Sequence, residues 1–400
     1  MALGKGKPTV SEGAQAASAA QASIAQAAAF YAVATERNIE LPTQNFSSGN
    51  SLPFNLPPSG IGTWVQVSLR GTVSVTSGAT ASQPTASPWY PYNLLGINYV
   101  DYLGFTRCNA SGWQLHLLEQ VKAFQFDPAN VYGVVPSSVG SNASPTISSA
   151  AAAYQFTAGV PTAVASATET AAVAFTIVVP ISTARNSIKG SHLFNITGAQ
   201  DVLNVVCTPP TGGASAADSP FTVPVPADTT VSVTGTVDVS YYYLDWPANA
   251  QVPMAELALA HQVNSITQTQ NISAGVLYQF LLPTGFVYSR LITQFVNNSN
   301  PDTTDVTQVS FYLDANTPVH SENLVSFLGR QLRMYGHSLA DGVFVTDMSA
   351  RPVNSNSYSQ VAVNLQISNT ATITNPAYMR TLSDALTLQN QNLQALGAQS

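Results

Sequence analysis

Charged side chains are scarce in this sequence. Its 400 residues include 13 Lys and Arg and 20 Asp and Glu, which is 8% of the chain, whereas about 25% is usual in soluble proteins. A free monomer with so few ionic groups would be hard to keep soluble. Ser, Thr, Asn and Gln fill the polar positions instead, and they cost less to bury against another protein than charges do. The composition therefore favours a protein that assembles, with most of its flanks covered by neighbours.

Basic clusters, cysteine frameworks and long apolar runs are also missing. The formal net charge is −7, and without a basic stripe the chain is not expected to bind nucleic acid directly. Two cysteines, Cys108 and Cys207, make no disulfide framework and no zinc site, so a reducing cytoplasm suffices for folding. No run approaches the roughly 18 apolar residues of a transmembrane helix. Lys5 and Lys7 precede an Ala-rich stretch, but glutamines interrupt it, so a cleaved signal peptide is not predicted.

Motifs for catalysis or metal binding are missing as well. No nucleophile elbow or phosphate-binding loop is present. Asp302 and Asp305 are candidates for calcium, but their spacing differs from that of an EF-hand and favours a turn. We expect no enzymatic activity, no cofactor, and no catalytic, cofactor-binding or metal-ligating residue. The histidines lack metal-site spacing, and each is predicted to be a hydrogen-bonded structural residue: His116, His192, His261, His320 and His337.

Helical patterns occur at three places. Residues 11–37, rich in Ala and Gln, predict a helix with a narrow apolar stripe, which would lie on another surface as an arm. Residues 40–62, rich in Pro, Asn, Ser and Gly, predict an extended strap without regular structure. A second helix is predicted from an N-cap at Ser321 to Gly336, and a short third helix in the tail at 381–400.

Most of the remaining chain alternates between apolar and polar residues. This period of two predicts half-buried strands. The runs that show it are 63–77, 173–179, 231–243, 309–313 and 361–367, with a further strand at 342–346. Long Gly-, Pro-, Ser- and Ala-rich loops at 78–88, 136–153 and 208–220 separate the runs. The pattern favours an all-β sandwich with Greek-key connections, in two strand-rich blocks of about 45–248 and 249–385.

An aromatic stretch, Tyr241–Tyr243, lies close to Trp246. The alternation around it predicts Tyr241 and Tyr243 on the core face and Tyr242 outward. Core and interface packing is therefore the favoured interpretation, and a sugar-stacking platform is the alternative.

One segment, CNASGWQLHLLEQVK from Cys108 to Lys122, is distinctive. Its SGWxLH core, Ser111 to His116, resembles the corresponding stretch in the major capsid proteins of tectiviruses, which are tailless icosahedral phages with a membrane inside the shell. The N-terminal helix, the strap and the first strand are similar to that family's N-terminal layout. Strand endings near Ile181 and Leu244 and the helix-to-strand crossing at 339–352 are also similar. The resemblance covers most of residues 11–385, in order and at low identity.

The resemblance implies two tandem eight-stranded jelly rolls. An N-terminal arm and helix would occupy residues 1–44, the rolls 45–248 and 249–385, and a C-terminal tail 386–400. Three chains would form a pseudo-hexagonal homotrimer, and trimers would tile an icosahedral shell over an internal membrane. The N-terminal region would face neighbours and that membrane, and minor capsid and vertex proteins would be further partners. The chain would be made in the host cytoplasm and reside in the virion capsid.

Two other interpretations compete with a shell protein. A secreted β-sandwich adhesin or carbohydrate-binding protein would fit the aromatic patches and the Asn-x-Ser/Thr triplets. A cupin-like metalloenzyme would need clustered His and carboxylate ligands, which His116 and His192 lack in sequence. If the chain builds a shell, the few ionic residues should lie at trimer contacts or on exposed towers. The residues to which this expectation applies include Arg107, Glu119, Lys122, Arg330 and Arg333.

Overall fold

The computed structural model describes residues 10–126, 157–184, 187–191, 200–211, 218–223, 228–268, 272–298, 300–314, 318–335, 339–374 and 376–387. Its α-helices are α1 (Val10–Val33), α2 (Gly112–Phe126) and α3 (Leu324–Tyr335). Short 3-10 turns lie at Tyr92–Leu94, Met254–Leu257 and Ser355–Ser357. Strands form most of the rest.

The strands of the first half are β1 (Thr35–Glu40), β2 (Gln44–Asn45), β3 (Ser51–Leu56), β4 (Ile61–Ser77), β5 (Thr85–Ala86), β6 (Leu95–Val100), β7 (Thr106–Ser111), β8 (Thr157–Ala158), β9 (Thr168–Pro180), β10 (Asp201–Cys207), β11 (Phe221–Thr222) and β12 (Thr229–Asp245). Those of the second half are β13 (Ala260–Gln268), β14 (Leu277–Leu281), β15 (Phe286–Asn297), β16 (Asn300–Pro301), β17 (Val306–Leu313), β18 (Pro318–Asn323), β19 (Val343–Asp347), β20 (Val353–Asn354), β21 (Val361–Ile367) and β22 (Tyr378–Thr387).

Both halves have the same strand order. In the first half the main sheets are β1-β12-β4-β9 and β3-β10-β6-β7, and in the second half β13-β22-β15-β19 and β14-β21-β17-β18. Each half has eight strands in these main sheets. If those eight are numbered in chain order, the two sheets of both halves have the strand orders 1-8-3-6 and 2-7-4-5. The last strand of each half thus lies between the first and the third, which is the Greek-key order of a jelly roll. The prediction of an all-β fold with two eight-stranded jelly rolls is confirmed.

A parallel contact joins one sheet of the first half to one sheet of the second, and together they form one continuous sheet. Strand β13 of the second half lies beside β7 of the first, with Val263 opposite Cys108 and Asn264 opposite Asn109. All the pairings within the two rolls are antiparallel. The parallel pair therefore marks the junction between the rolls.

Alternating strands bury their apolar faces in two main cores, and the first also includes Val263, Ile292 and Leu382 of the second half. In the first, Leu69 of β4 lies opposite Val237 of β12 and Phe175 of β9, and all three side chains are buried. The second core lies between its two sheets and includes Phe280 and Phe295. Side chains of this size contribute roughly 2–3 kcal/mol each when fully buried, so either core can sustain a domain.

Several local predictions need correction. The N-terminal helix ends at Val33, not 37, because β1 begins at Thr35 and pairs along its length with β12. The strap at 40–62 contains β2 and β3, and β3 pairs with β10 over six residues. A strand exists there because the apolar side chains Leu52, Phe54 and Leu56 alternate into the first core.

Two further helix predictions also differ from the structure. Residues 378–387 form β22, so the predicted tail helix is wrong there, and residues 388–400 lie outside the described part. Asn323, not Ser321, caps α3, since its Oδ1 accepts a bond from the N–H of Ser326 at 2.9 Å. Helix α2 was not predicted at all.

The remaining local predictions can be placed as well. The strand predicted at 342–346 is β19, and the runs at 63–77, 173–179, 231–243, 309–313 and 361–367 all lie within strands. The loop at 136–153 lies outside the described residues, as does part of the loop at 208–220.

Candidate functional site: the roll junction and the exposed edges

The distinctive SGWxLH segment lies inside the first roll. It ends β7 and begins α2, in which Trp113 is buried and His116 is half-buried. Trp113 stacks on Trp89 with ring centroids 4.0 Å apart, and His116 stacks on Tyr92 at 3.8 Å. The segment is therefore a packing element, and its aromatic residues hold α2 against the core.

His116 makes a side-chain hydrogen bond within α2. Its Nε2 lies 3.0 Å from Nε2 of Gln120, one helical turn further along α2. Burial lowers the pKa of His116 to about 4, so the ring is neutral near pH 7. The ring is thus a neutral imidazole stacked on Tyr92.

A cluster of buried charges lies at the junction of the rolls, and we call it the Asp384 cluster. It comprises Lys122 from α2, His261 from β13, Asp384 from β22, Arg290 from β15 and Asp347 from β19. All five side chains are at most 10% exposed. The cluster thus combines one side chain of the first roll with four of the second.

Asp384 is the hub of this cluster. One carboxylate oxygen accepts a bond from Nε2 of His261 at 2.6 Å, and the other lies 3.1 Å from Nζ of Lys122 and 3.2 Å from Nη1 of Arg290. Burial alone would favour the neutral acid, but Lys122, His261 and Arg290 hold the pKa of Asp384 far below its usual range. Asp384 is therefore a stable anion that links both rolls.

Asp347 extends the cluster to α3. Its Oδ2 accepts bonds from Nε of Arg290 at 3.1 Å and from the hydroxyl of Tyr335 at 3.4 Å. Lys122 also donates to the backbone carbonyl of Thr183 at 3.4 Å. The cluster therefore ties α2 and α3 to the shared sheet.

A second buried group of charges lies within the first roll. Nε of Arg107 lies 2.6 Å from Oδ2 of Asp101, and both side chains are almost fully buried. Nearby, the hydroxyl of Tyr99 donates to Asp201, which also accepts from the N–H of Tyr102 at 2.8 Å. Burial and the charge of Asp201 raise the pKa of Tyr99 well above its usual value. Tyr99 is thus a neutral donor in a fixed polar network.

The expectation that the ionic residues lie at trimer contacts or on exposed towers is wrong for two of them. Arg107 and Lys122 are buried within this chain and are not available for contacts with another copy or for an exposed tower. Both carry a buried carboxylate partner, which makes burial tolerable. Glu119 and Arg333 are exposed, and Arg330 is partly exposed beside Glu322.

The other candidate residues have structural surroundings. Oδ1 of Asp302 accepts bonds from the N–H groups of Thr304 and Asp305, so this segment is the turn that its sequence predicts. Cys108 and Cys207 are free thiols in the core. Across the described ranges, no group of three or more His, Cys, Asp or Glu is arranged to hold a metal ion. His320 lies exposed on β18, and His192 and His337 lie outside the described residues.

The tyrosine stretch packs on its own sheet. Tyr241 is fully buried, as predicted, while Tyr243 is half-buried and stacks beside it. Tyr242 lies on the other face and stacks on the indole of Trp64 at 3.6 Å. A shift in register between Tyr242 and Tyr243 turns the end of β12 away from strict alternation.

The end of α1 is anchored beside the first roll. Phe30 is buried in a small cluster with Ile61, Ile188, Leu244 and Leu257. The hydroxyl of Tyr31 donates to Oε2 of Glu256 at 2.5 Å and accepts from the N–H of Ile188 at 2.9 Å.

About two turns earlier, Ile24 is 70% exposed. The helix is thus fixed at its C-terminal end and leaves an apolar side chain free for other contacts. No helix within the described ranges is long and apolar enough to cross a membrane.

The outer sheet of the second roll has an apolar edge. Tyr278 and Phe280 of β14 face the core, whereas Leu277 and Leu281 point outward and are 44% and 47% exposed. Val276 beside them is also exposed. At the opposite edge, Val319 of β18 and Val325 of α3 are exposed as well. Apolar side chains on open sheet edges are typical of surfaces that contact another chain.

Comparison with known proteins finds likeness in structure alone. No protein-family model matches the chain, and no curated protein matches it in sequence. The solved structure of the STIV MCP matches with a TM-score of 0.61 at 15% identity, over 90% of this chain and 98% of that protein. The atomic structure of Sulfolobus Turreted Icosahedral Virus contains a chain that matches with a TM-score of 0.60 at 14% identity, over 90% and 93% of the respective chains.

A further match is the major capsid protein P2 of bacteriophage PM2, with a TM-score of 0.47 at 9% identity, over 90% of this chain and 99% of that protein. The STIV match spans both rolls and nearly all of that protein, in agreement with the strand orders above. The chain therefore has the double jelly-roll fold found in the STIV MCP.

Proposed function

We propose that this chain is a viral major capsid protein that forms pseudo-hexagonal homotrimers, which tile an icosahedral shell over an internal membrane. The observation that carries the proposal is the match to the STIV MCP over 90% of this chain and 98% of that one. Because both rolls and their junction match together, the likeness covers the whole unit that would assemble and not a single common sandwich.

The surface of the chain supports assembly. Exposed apolar side chains lie at both open edges of the second roll's outer sheet, on β14 and on β18 with α3. Residues 257–289 contain no Asp, Glu, Lys or Arg, so contact through β14 would bury no local charge. Different edges meeting head to tail close into rings, and a trimer is such a ring.

The division of the chain follows from the same proposal. The first roll would begin at β1 (Thr35–Glu40), its first strand, and end near 248, and the second would run from 249 to the end of β22 at Thr387. An arm would precede the first roll and a tail would follow the second. The arm would lie beneath the shell, facing neighbours and the membrane, since α1 is fixed at Phe30 and Tyr31 and exposes Ile24. Minor capsid and vertex proteins would be further partners in the virion, and direct nucleic-acid binding is not expected.

The role would be structural and not enzymatic. The buried charges of the Asp384 cluster are paired with one another across the junction of the rolls. The adhesin alternative depends on aromatic side chains that are free to stack on a sugar. In the tyrosine stretch, the partly exposed Tyr242 is already stacked on Trp64.

Solution mass and particle shape test this function directly. Full-length protein in size-exclusion chromatography with light scattering should have about three times the 42.0 kDa mass of one chain. Negative-stain images should show particles of hexagonal outline. A stable monomer at all accessible concentrations would contradict the proposal, and glycan-array binding by such a monomer would favour the adhesin.

A further inference from the structure

We propose that the Asp384 cluster is an acid-sensitive latch, which holds the two rolls together while His261 is neutral and loosens their junction when His261 gains a proton. This inference depends only on the arrangement within one chain. It goes beyond the proposed function and would stand if the chain did not form a shell.

The position of His261 makes it part of the junction. It lies in β13, two residues before Val263, which is opposite Cys108 of β7 in the parallel contact between the rolls. Its own N–H donates to the carbonyl of Gly190 at 2.7 Å. Its side chain bonds Asp384, and Asp384 in turn contacts Lys122 of the first roll. A change at this ring therefore acts on both backbone and side-chain contacts across the junction.

The charges of the cluster balance only when the ring is neutral. Lys122 and Arg290 supply two positive charges, and Asp384 and Asp347 supply two negative ones. A proton on His261 leaves a net charge of +1 in a buried site, which is costly. The proton would go to Nδ1, which is buried without a hydrogen-bond partner. The added N–H would thus have no acceptor.

The groups around His261 oppose protonation more than they favour it. Asp384 of β22 favours the charged ring, whereas Lys122 of α2 and Arg107 of β7 disfavour it. Arg290 of β15 and the Cys108 thiol act on the same cluster through Lys122 and Asp384. Burial, which is the largest effect, and the two cations together lower the pKa of His261.

The sign of the pH effect follows from linkage. An exposed histidine in an opened junction has a pKa of about 6.5, and the closed junction has a lower one. The open state therefore binds more protons below about pH 6.5, and closure weakens as the pH falls. For one proton, the opening constant rises by up to about tenfold between pH 7.5 and 5.5.

The two native cysteines give a test. Cys108 lies at the junction opposite Val263, and Cys207 lies in β10 at its pairing with β6, away from the junction. Full-length protein is treated with a dipyridyl disulfide, which reacts with thiols in acidic and neutral solution, and labelling of each cysteine is measured by peptide mass spectrometry. The labelling-rate ratio of Cys108 to Cys207 removes the intrinsic effect of pH on the reagent.

The expected result is a ratio that rises about three- to tenfold between pH 7.5 and 5.5. His261→Gln, which keeps a donor near Asp384 but does not titrate, should give a flat ratio. His320→Gln is the matched control at an exposed histidine and should behave as wild type. His116→Phe removes the other buried histidine and should keep the rise.

A flat wild-type ratio would overturn the proposal, as would a rise that survives in His261→Gln. If His261→Gln does not fold, the labelling-rate ratio of His116→Phe decides whether the proposal stands. Loss of the rise in that variant would assign acid opening to α2 and reject the latch, and its persistence would support the latch.

Discussion

The first-roll core and the roll junction differ in the side chains that they bury. In the core, β4, β9 and β12 present Val, Leu, Ile and Phe to one another, and residues such as Val67 and Val239 are completely buried. At the junction, Val263, Ile292 and Leu382 of the second half extend the apolar cluster of the first. Four ionisable side chains are grouped around Asp384 in a similarly buried space. Apolar contacts are strong but not directional, whereas each bond to Asp384 has a defined partner. We infer that the cores stabilise the rolls and that the junction fixes how they meet.

The largest loss of stability is expected for Asp384→Ala, which removes the hub of the junction. It would leave Lys122 and Arg290 buried near each other without the shared carboxylate, and loss of one partner from a buried ion pair costs about 3–5 kcal/mol. Urea unfolding followed by tryptophan fluorescence should show this loss.

The control is Asp245→Ala, which breaks the exposed pair with Arg37 at 3.0 Å. That variant should lose less than about 1 kcal/mol, because solvent screens such pairs. If the free energy of unfolding fell by the same small amount in both variants, the buried ion pairs of the junction would stabilise the chain no more than an exposed pair does. The junction would then not fix how the rolls meet.

A second test concerns His116, the half-buried histidine of α2 in the first roll. Since burial lowers the pKa of His116 to about 4, its stabilising contribution is complete above about pH 6.5 and declines as the pH falls towards 4. We expect His116→Phe to reduce the loss of unfolding free energy between pH 7.5 and 5 by about 1–2 kcal/mol. Urea titrations at several pH values measure this slope.

A phenylalanine can keep the stack on Tyr92, so the variant should remain folded at pH 7.5. His320→Gln on the exposed strand β18 should keep the wild-type slope. An unchanged slope in His116→Phe would mean that the ring near Tyr92 is solvated and is not a buried neutral group.

Much of the fold could be predicted because alternation encodes it directly. The run at 63–77 and the valines near 231–239 each bury one face, and the structure pairs them as β4 and β12. The alternating residues of β3 were missed because Pro53 and the surrounding Ser and Asn resemble a loop. Helix α2 was missed because apolar residues surround it on more than one side, and a buried helix gives no clear period.

The Asp384 cluster could not be predicted from the sequence. Lys122 and Asp384 are 262 positions apart, and nothing local distinguishes a buried lysine from an exposed one. Arg107 was expected on the surface for the same reason, since charged residues are rarely buried unless paired. A signal that could have been used is Asp384 itself, an acidic residue close to Leu382, Ala385 and Leu386 in the buried strand β22.

The smallest effect on stability is expected at the apolar edge formed by β14. There, an effect on assembly can be measured separately from an effect on the free energy of unfolding. Leu277→Gln with Leu281→Gln changes two side chains that are about half exposed and face away from the core. The free energy of unfolding of the dissociated chain should change by less than about 0.5 kcal/mol, as is usual for surface substitutions. Light scattering should nevertheless show a smaller assembled fraction than wild type.

The matched control replaces Val206, an exposed apolar residue of β10 in the first roll, with Gln. That variant should assemble as wild type does if the β14 edge forms the contact. Equal assembly of the β14 double variant and wild type would exclude this edge as a contact between copies. It would leave the opposite edge, with Val319 and Val325, as the apolar surface to be examined next. A loss of assembly without a loss of stability would instead show that the edge acts between chains and contributes nothing to the roll that carries it.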